Sequence, residues 1–270
     1  MARWLLALLL LSIVTPAMTR SVPSNDRSRQ AAARVEASLR MQLGQLGADW
    51  GAALYLRIFK ASDELEVWVD TGARHQLLRS WPICTWSGAL DPKQREGDGQ
   101  APEGFYSITQ AQMNPNSGYY LSFNMGYPNA YDLHHKRTGS HIMVHGDQAS
   151  VGCYAMTDPV IEEIYLLVSA ALENGQREVP VHCFPFRFTA ERMNQAQNSP
   201  WLSFWENLQE GFEAFEQRHA GEQRQADRGD VQRERLDHDR AHRAGGDRGA
   251  PPGGQQSGGL AWRRHRRRNG

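Results

Sequence analysis

Residues 52–70 read AALYLRIFKASDELEVWVD, and their alternation decides the fold. Leu54, Leu56 and Ile58 fall on one face of an extended chain, with Tyr55, Arg57 and Phe59 on the other. Leu65, Val67 and Val69 repeat the pattern after the polar KASDE. A period of two on both sides of a short polar turn predicts a β-hairpin. The strand-like HQLLRSWPICTWSG follows at 75–88, and further strands are expected in Phe105–Ile108, Tyr119–Met125, Ser140–Gly146 and Val179–Phe188. Nothing in this order repeats strand, helix, strand. The expectation is therefore a mainly β domain, an antiparallel β-sandwich or partly closed barrel with peripheral helices.

The helices lie outside that frame. Residues 28–43, SRQAAARVEASLRMQL, are rich in helix formers, with Val35, Leu39 and Leu43 along an apolar edge. TDPVIEEIYLLVSAALENG opens with capping residues and Pro159, carries acid early and stops at Gly175, which predicts a helix over Pro159–Glu173. A last helix is expected after residue 200, where Leu202, Trp205, Leu208, Phe212 and Phe215 recur at three and four. Residues 88–104 form a long polar segment crowded with Gly and Pro, and a loop of that length in a compact domain is either functional or disordered.

The two ends differ in kind from the middle. Residues 1–17 place Arg3 before an apolar run, Trp4–Val14, and small residues around Ala17, the order of a secretory signal peptide. The run is shorter than the roughly 20 residues of a spanning helix. From 219 to 270 the chain is dense in Arg, Asp, Gln and Gly, with 12 Arg against 7 acidic residues in 221–270, and reads as a disordered Arg/Gly-rich tail. Its terminal RRHRRR offers a loose contact with an anionic envelope component. The tail lacks the interleaved aromatics of a base-stacking surface, and the whole chain is formally neutral, so no nucleic-acid partner is expected. The expected layout is a signal peptide at 1–17, a linker and short helix at 18–49, a core domain at 50–190, a packing helix at 191–218 and the tail.

Chemistry concentrates in HIMVHGDQASVGCYAMTD, His141–Asp158. Cys153 follows Gly152 in a run of small residues just ahead of a helix, where the backbone can approach a substrate carbonyl and direct N–H groups at developing charge. His145 ends an apolar strand eight residues earlier. A thiol becomes a competent nucleophile when an imidazole takes its proton, with Ser150 or a main-chain carbonyl steering the ring. Spacing alone is equally compatible with a buried cysteine beside a satisfied core histidine. Metal binding is disfavoured: His141 and His145 sit about 13 Å apart along a strand, and no H-E-x-x-H or paired C-x-x-C is present. No metal or other cofactor is expected. The three cysteines, Cys84, Cys153 and Cys183, are an odd number, and pairing of Cys84 with Cys183 would leave Cys153 free.

MVHGDQASVGCYAMTD, together with GDGQAPEGFYSITQAQMNPNSGYYLSFNMGYPNAYD at 97–132, resembles the L,D-transpeptidase catalytic domain of the YkuD type, within its YafK-like branch. The similarity runs from about Trp50 to Phe188. The resemblance implies a mainly β enzyme of the periplasm that processes peptidoglycan stem peptides. It makes Cys153 the nucleophile and His145 the base, with Gly146, Ser150, Gly152 and Tyr154 supporting the nucleophile and the oxyanion. Val151 stands where the commoner family pattern has histidine, and the His–Cys separation is shorter than usual. Substrate contacts are expected from Arg137, Lys93 and Tyr127, with Tyr119 as a further cleft wall; each has a plain structural reading as salt bridge, solvated lysine or core aromatic. The implied reaction joins diaminopimelate-containing peptides through a thioester. A related hydrolase that cuts crosslinks or frees a wall-linked protein uses the same intermediate, and a non-catalytic wall-peptide-binding module is the remaining reading.

Overall fold

The computed structural model describes residues 21–218. The expected signal peptide and the Arg/Gly-rich tail lie outside the described residues. The first sheet has the order β3-β2-β1-β10-β5. Its strands are β1 (Leu54–Phe59), β2 (Glu64–Asp70), β3 (His75–Pro82), β5 (Gly104–Ile108) and β10 (Val179–Phe184). The second has the order β4-β9-β8-β7-β6. It is built from β4 (Thr85–Trp86), β6 (Met113–Asn114), β7 (Ser122–Asn124), β8 (Met143–His145) and β9 (Tyr154–Ala155).

The expected antiparallel architecture is corrected in one respect that matters for the site. Each sheet contains one parallel pair, β1 with β10 and β8 with β9, so both are mixed. Neither sheet is shown closed into a barrel, and with its helices the domain is a mixed α/β fold. The parallel pairs escape a sequence reading because β1 and β10 are joined only after the rest of the domain has intervened. The 52–70 hairpin is present, with Leu54 opposite Val69 and Phe59 opposite Glu64.

Helix α3 (Asp158–Glu173) carries Ile161, Ile164, Leu167, Val168 and Leu172 on its buried side and touches β1 and β10 of one sheet and β7 and β8 of the other. Helix α1 (Asp26–Gln45) packs on α3. Its start is fixed by Asn25, whose side chain accepts from Ser28 N–H while the Ser28 hydroxyl answers the Asn25 N–H. A short helix, α2 (Ala130–His134), is an addition that sequence periodicity did not single out, and the packing helix expected at 191–218 is two helices, α4 (Ala190–Gln195) and one that starts at residue 202. Fully burying a Leu, Ile or Val stabilises by about 1.5–3 kcal/mol each, so α3 is the element that binds the two sheets into one core.

A helix over residues 202–218, α5, covers the outer face of the first sheet. There Phe59, Phe184, Phe186 and Phe188 meet Phe204, Trp205 and Leu208. Arg57 is buried in the same layer, its guanidinium 4.4 Å from the Phe215 ring and 4.6 Å from that of Phe212, with Nη1 donating to Glu216 at 2.7 Å. The Trp stripe of α5 is thus core: Trp205 Nε1 donates to the buried Glu103 at 2.8 Å. Glu103 in turn pairs with buried Lys60 at 2.9 Å, and Lys60 also donates to the carbonyls of Asp91 and Ala101. This network ties the long segment before β5 to the sheet.

Candidate active site

The second sheet brings Cys153 and His145 together by register. Val144 lies opposite Tyr154 and His145 opposite Ala155 in the parallel β8–β9 pair. Carried back one residue, the register sets Met143 beside Cys153, and strand alternation puts Met143, His145 and Cys153 on one face. The thiol and imidazole are diagonal neighbours on adjacent strands, a separation that long side chains can close. The Met143 N–H points at Cys153 Sγ at 3.5 Å, and the thiol lies 3.7 Å from the His141 carbonyl oxygen. Among the described residues no hydrogen bond joins Sγ to the ring; such contacts commonly tighten only with substrate bound.

His145 is 1% exposed. Its Nδ1 donates to the Gly146 carbonyl oxygen, which leaves the lone pair on Nε2. The main-chain carbonyl, rather than Ser150, orients the ring. The Tyr119 ring lies over the imidazole, centroids 4.8 Å apart at 35°, and is itself 44% exposed. Burial pushes the His145 pKa down, opposed by the Gly146 carbonyl and the charge of Asp147. Burial pushes the Cys153 thiol up, opposed by the Met143 N–H and the Lys93 charge. Both shifts favour a neutral thiol beside a neutral imidazole over a standing ion pair.

The segment around Cys153 is held from several sides. Ser150 donates its hydroxyl to the Cys153 carbonyl at 2.7 Å. Gly152 adopts φ +110°, a conformation that favours glycine, and its N–H donates to the Ser87 hydroxyl. Tyr154 is buried, its hydroxyl donating to the Pro102 carbonyl at 2.7 Å. Gly146 is required by close approach: a Cβ there would stand 2.5 Å from Asp158 Oδ1 and 3.0 Å from Tyr120 Cβ. Val151 is 84% exposed.

The expected substrate contacts fare differently. Arg137 is 5% exposed, pairs with buried Asp132 at 2.8 Å and lies over the Phe204 ring at 4.6 Å, the salt-bridge arrangement that its sequence allowed beside a substrate contact. Lys93 is buried and held by Asp98 at 2.6 Å and the Arg95 carbonyl, although its charge is felt at Cys153. Asp98 also accepts from the N–H groups of Gln94, Arg95 and Gln100, and although burial alone raises its pKa these contacts bring it down to about 2. The 88–104 segment is therefore a built loop, and its Gln100 carbonyl lies against Gly152. Tyr127 is buried with its hydroxyl donating to the Lys93 carbonyl at 3.2 Å. The possible Cys84–Cys183 pairing is not formed: Cys84 is an exposed free thiol by β4 of the second sheet, and Cys183 a buried one in β10 of the first.

Among the described residues, no group of three His, Cys, Asp or Glu side chains gathers as a metal site, and no helix is long and apolar enough to cross a membrane. An open cavity of about 600 Å³ adjoins the 146–150 loop, lined by Arg27, Tyr120, Asp147 and Asp158 among others. Neither Cys153 nor His145 is among its lining residues. Ser87 was not singled out from the sequence; a lone serine after a short strand carries no signal until the register places it.

These features place a thiol and an imidazole on one face of the second sheet. Residues 55–181 match the L,D-transpeptidase catalytic domain family, YkuD. Two relatives described as "Putative L,D-transpeptidase YafK", from Escherichia coli (strain K12) and Escherichia coli O157:H7, are each 47% identical over 167 residues, 62% of this chain and 68% of theirs. The chain belongs to the YkuD-type L,D-transpeptidase family, close to its YafK branch. Partial likeness extends to two structures of the helical cell shape determining protein Pgp2 from Campylobacter jejuni. The first has 23% identity and TM-score 0.38 over 54% of each chain; a K307A mutant has 18% identity and TM-score 0.40 over 72% of this chain and 79% of that one. Bd1075 of Bdellovibrio bacteriovorus matches at 23% identity and TM-score 0.35 over 50% of this chain and 49% of its own.

Proposed function

We propose that this chain is a cysteine acyltransferase that acts on diaminopimelate-containing stem peptides of peptidoglycan through a thioester on Cys153. The observation that carries the proposal is the shared face of Cys153 and His145, with Nε2 left as the ring's lone-pair nitrogen, in a member of the L,D-transpeptidase family.

As Sγ attacks the carbonyl carbon of the diaminopimelate residue, Nε2 takes the thiol proton. The oxyanion is assigned to main-chain N–H groups of the nucleophile segment, chiefly that of Cys153, since the Gly152 N–H is engaged by Ser87. Collapse breaks the carbon–nitrogen bond, and the departing amine takes the proton from Nε2. An acceptor amine then attacks the thioester, giving its proton to Nε2, and the thiolate leaves and is reprotonated. Tyr119 covers the imidazole and limits its contact with water.

The reading carries with it export to the periplasm and a partner set of stem peptides, with a wall-linked protein as a further acceptor or leaving group. Loose envelope contact through the basic C-terminus belongs to the same reading. Incubating the protein with isolated stem peptides, with and without an added amine, and separating the products by mass tests it. An amine conjugate that requires Cys153 is the expected result. Free carboxylate product without conjugate would reassign the chain as a hydrolase, and no product at all would leave only the binding-module reading.

A further inference from the structure

The segment that carries the nucleophile is mostly solvent-facing: Asp147, Gln148, Ala149 and Val151 are all exposed. Its start is held by Asp147, whose N–H donates to Asp158 Oδ1 at 2.8 Å and whose carbonyl accepts from Thr157 N–H at 3.0 Å. Ser150 closes a local turn onto the Cys153 carbonyl, and the Met143 N–H meets Sγ from β8. A further bond comes from a different strand. In the antiparallel β4–β9 pair Trp86 lies opposite Tyr154 and Thr85 opposite Ala155. The same register, continued one step, sets Ser87 across from Cys153, so that the thiol is flanked by Met143 on one side and Ser87 on the other. There the Ser87 hydroxyl accepts the N–H of Gly152, at the left-handed residue just before the nucleophile.

Ser87 is anchored in turn. Its carbonyl accepts from Ala101 N–H at 2.9 Å, and the Ala101 carbonyl accepts from Lys60 Nζ at 3.0 Å. Lys60 is locked to Glu103, both side chains fully buried. The rigid network under α5 thereby reaches the peptide plane of Gly152 through one hydroxyl.

We propose that Ser87 is a positioning residue for the nucleophile: by holding the Gly152 N–H it fixes the left-handed turn that keeps Cys153 Sγ within reach of His145. The inference rests on the catalytic reading of Cys153 and His145. Without the hydroxyl the Gly152 N–H loses its partner, the turn relaxes toward other conformations, and the imidazole assists the thiol in a smaller fraction of molecules.

The test is the pH profile of Cys153 alkylation by iodoacetamide, quantified at that residue by peptide mass because Cys84 is also exposed. Wild type, Ser87→Ala and Ser87→Thr are compared, with thermal melting as the check on folding. For S87A the rate at pH 7 is expected to fall about fivefold or more. At pH 10, where the thiol ionises without help, it should stay within about twofold. S87T, which restores a hydroxyl acceptor, should recover at least half of the pH 7 rate. An unchanged profile in a folded S87A, or an equal loss at both pH values, overturns the proposal; if S87A does not fold, an S87T profile with no recovered assistance at pH 7 overturns it equally. The readout needs no wall substrate: a shifted profile in a protein that forms no product from stem peptides supports the role of Ser87 while removing the transpeptidase reading.

Discussion

His145 gives its Nδ1 proton to the carbonyl oxygen of Gly146, the next residue in the chain, and so presents Nε2 as the basic atom of the site. Replacing it by glutamine keeps a polar side chain and removes the base. Loss of a positioned general base costs about 10²–10⁴-fold in rate. His145→Gln should therefore lower turnover of stem peptides by at least about 100-fold while leaving the melting temperature near that of wild type. A variant that keeps more than about a tenth of the activity would show that the ring is a core residue.

The pH profile follows from the same burial. The His145 pKa is lowered from its usual 6.5 and that of Cys153 raised from 9.0. The base is active when neutral, so kcat/KM should rise with pH along a limb whose midpoint lies below 6.5. The raised thiol pKa means that no fall in activity follows from thiolate formation until above pH 9. Initial rates across pH 4–10 check this, and an acid limb with its midpoint above 7 would contradict a lowered His145 pKa.

Tyr119 meets the imidazole through its ring. Aromatic ring pairs contribute about 0.5–1.5 kcal/mol beyond area burial, which corresponds to a two- to tenfold effect. Tyr119→Phe is expected to leave turnover unchanged and Tyr119→Ala to lower it by about that factor. Equal losses in both variants would mean that the hydroxyl, not the ring, matters.

The 52–70 hairpin and α3 were legible in the sequence because their signals are local: alternation around a polar turn, and a proline start with a glycine stop. Cys153 and His145 could be singled out from their order along the chain, yet the face they share depends on the parallel register of β8 and β9, which no local pattern encodes. Ser87 was invisible for the same reason, since its neighbour is 65 residues away. For Arg137 the sequence left salt bridge and substrate contact side by side, because neither Asp132 as its partner nor the Phe204 ring of α5 over it can be read from local pattern.

The Arg137–Asp132 salt bridge is itself testable. Removing one member of a buried ion pair leaves an uncompensated charge and costs about 3–5 kcal/mol. Arg137→Ala should lose about that much by denaturant unfolding, with KM for stem peptides unchanged in the folded fraction. A raised KM with unaltered stability would return Arg137 to the substrate.

Lys60 and Glu103 should be non-additive. Lys60→Met or Glu103→Leu alone strands a buried charge, with a loss of about 3 kcal/mol or more, whereas the two together remove both and should cost less than the two single losses combined. Urea unfolding of the four proteins in the cycle checks this, and simple additivity would contradict a shared network.

The acyl-enzyme is the central claim, and intact-mass measurement of the protein during incubation with isolated stem peptides tests it most directly, with Cys153→Ala beside it. The account predicts a peptide-sized mass increase that hydroxylamine removes, that maps to Cys153 and that is absent from the variant. An unmodified protein that nonetheless yields product, or an adduct that persists in Cys153→Ala, would contradict it.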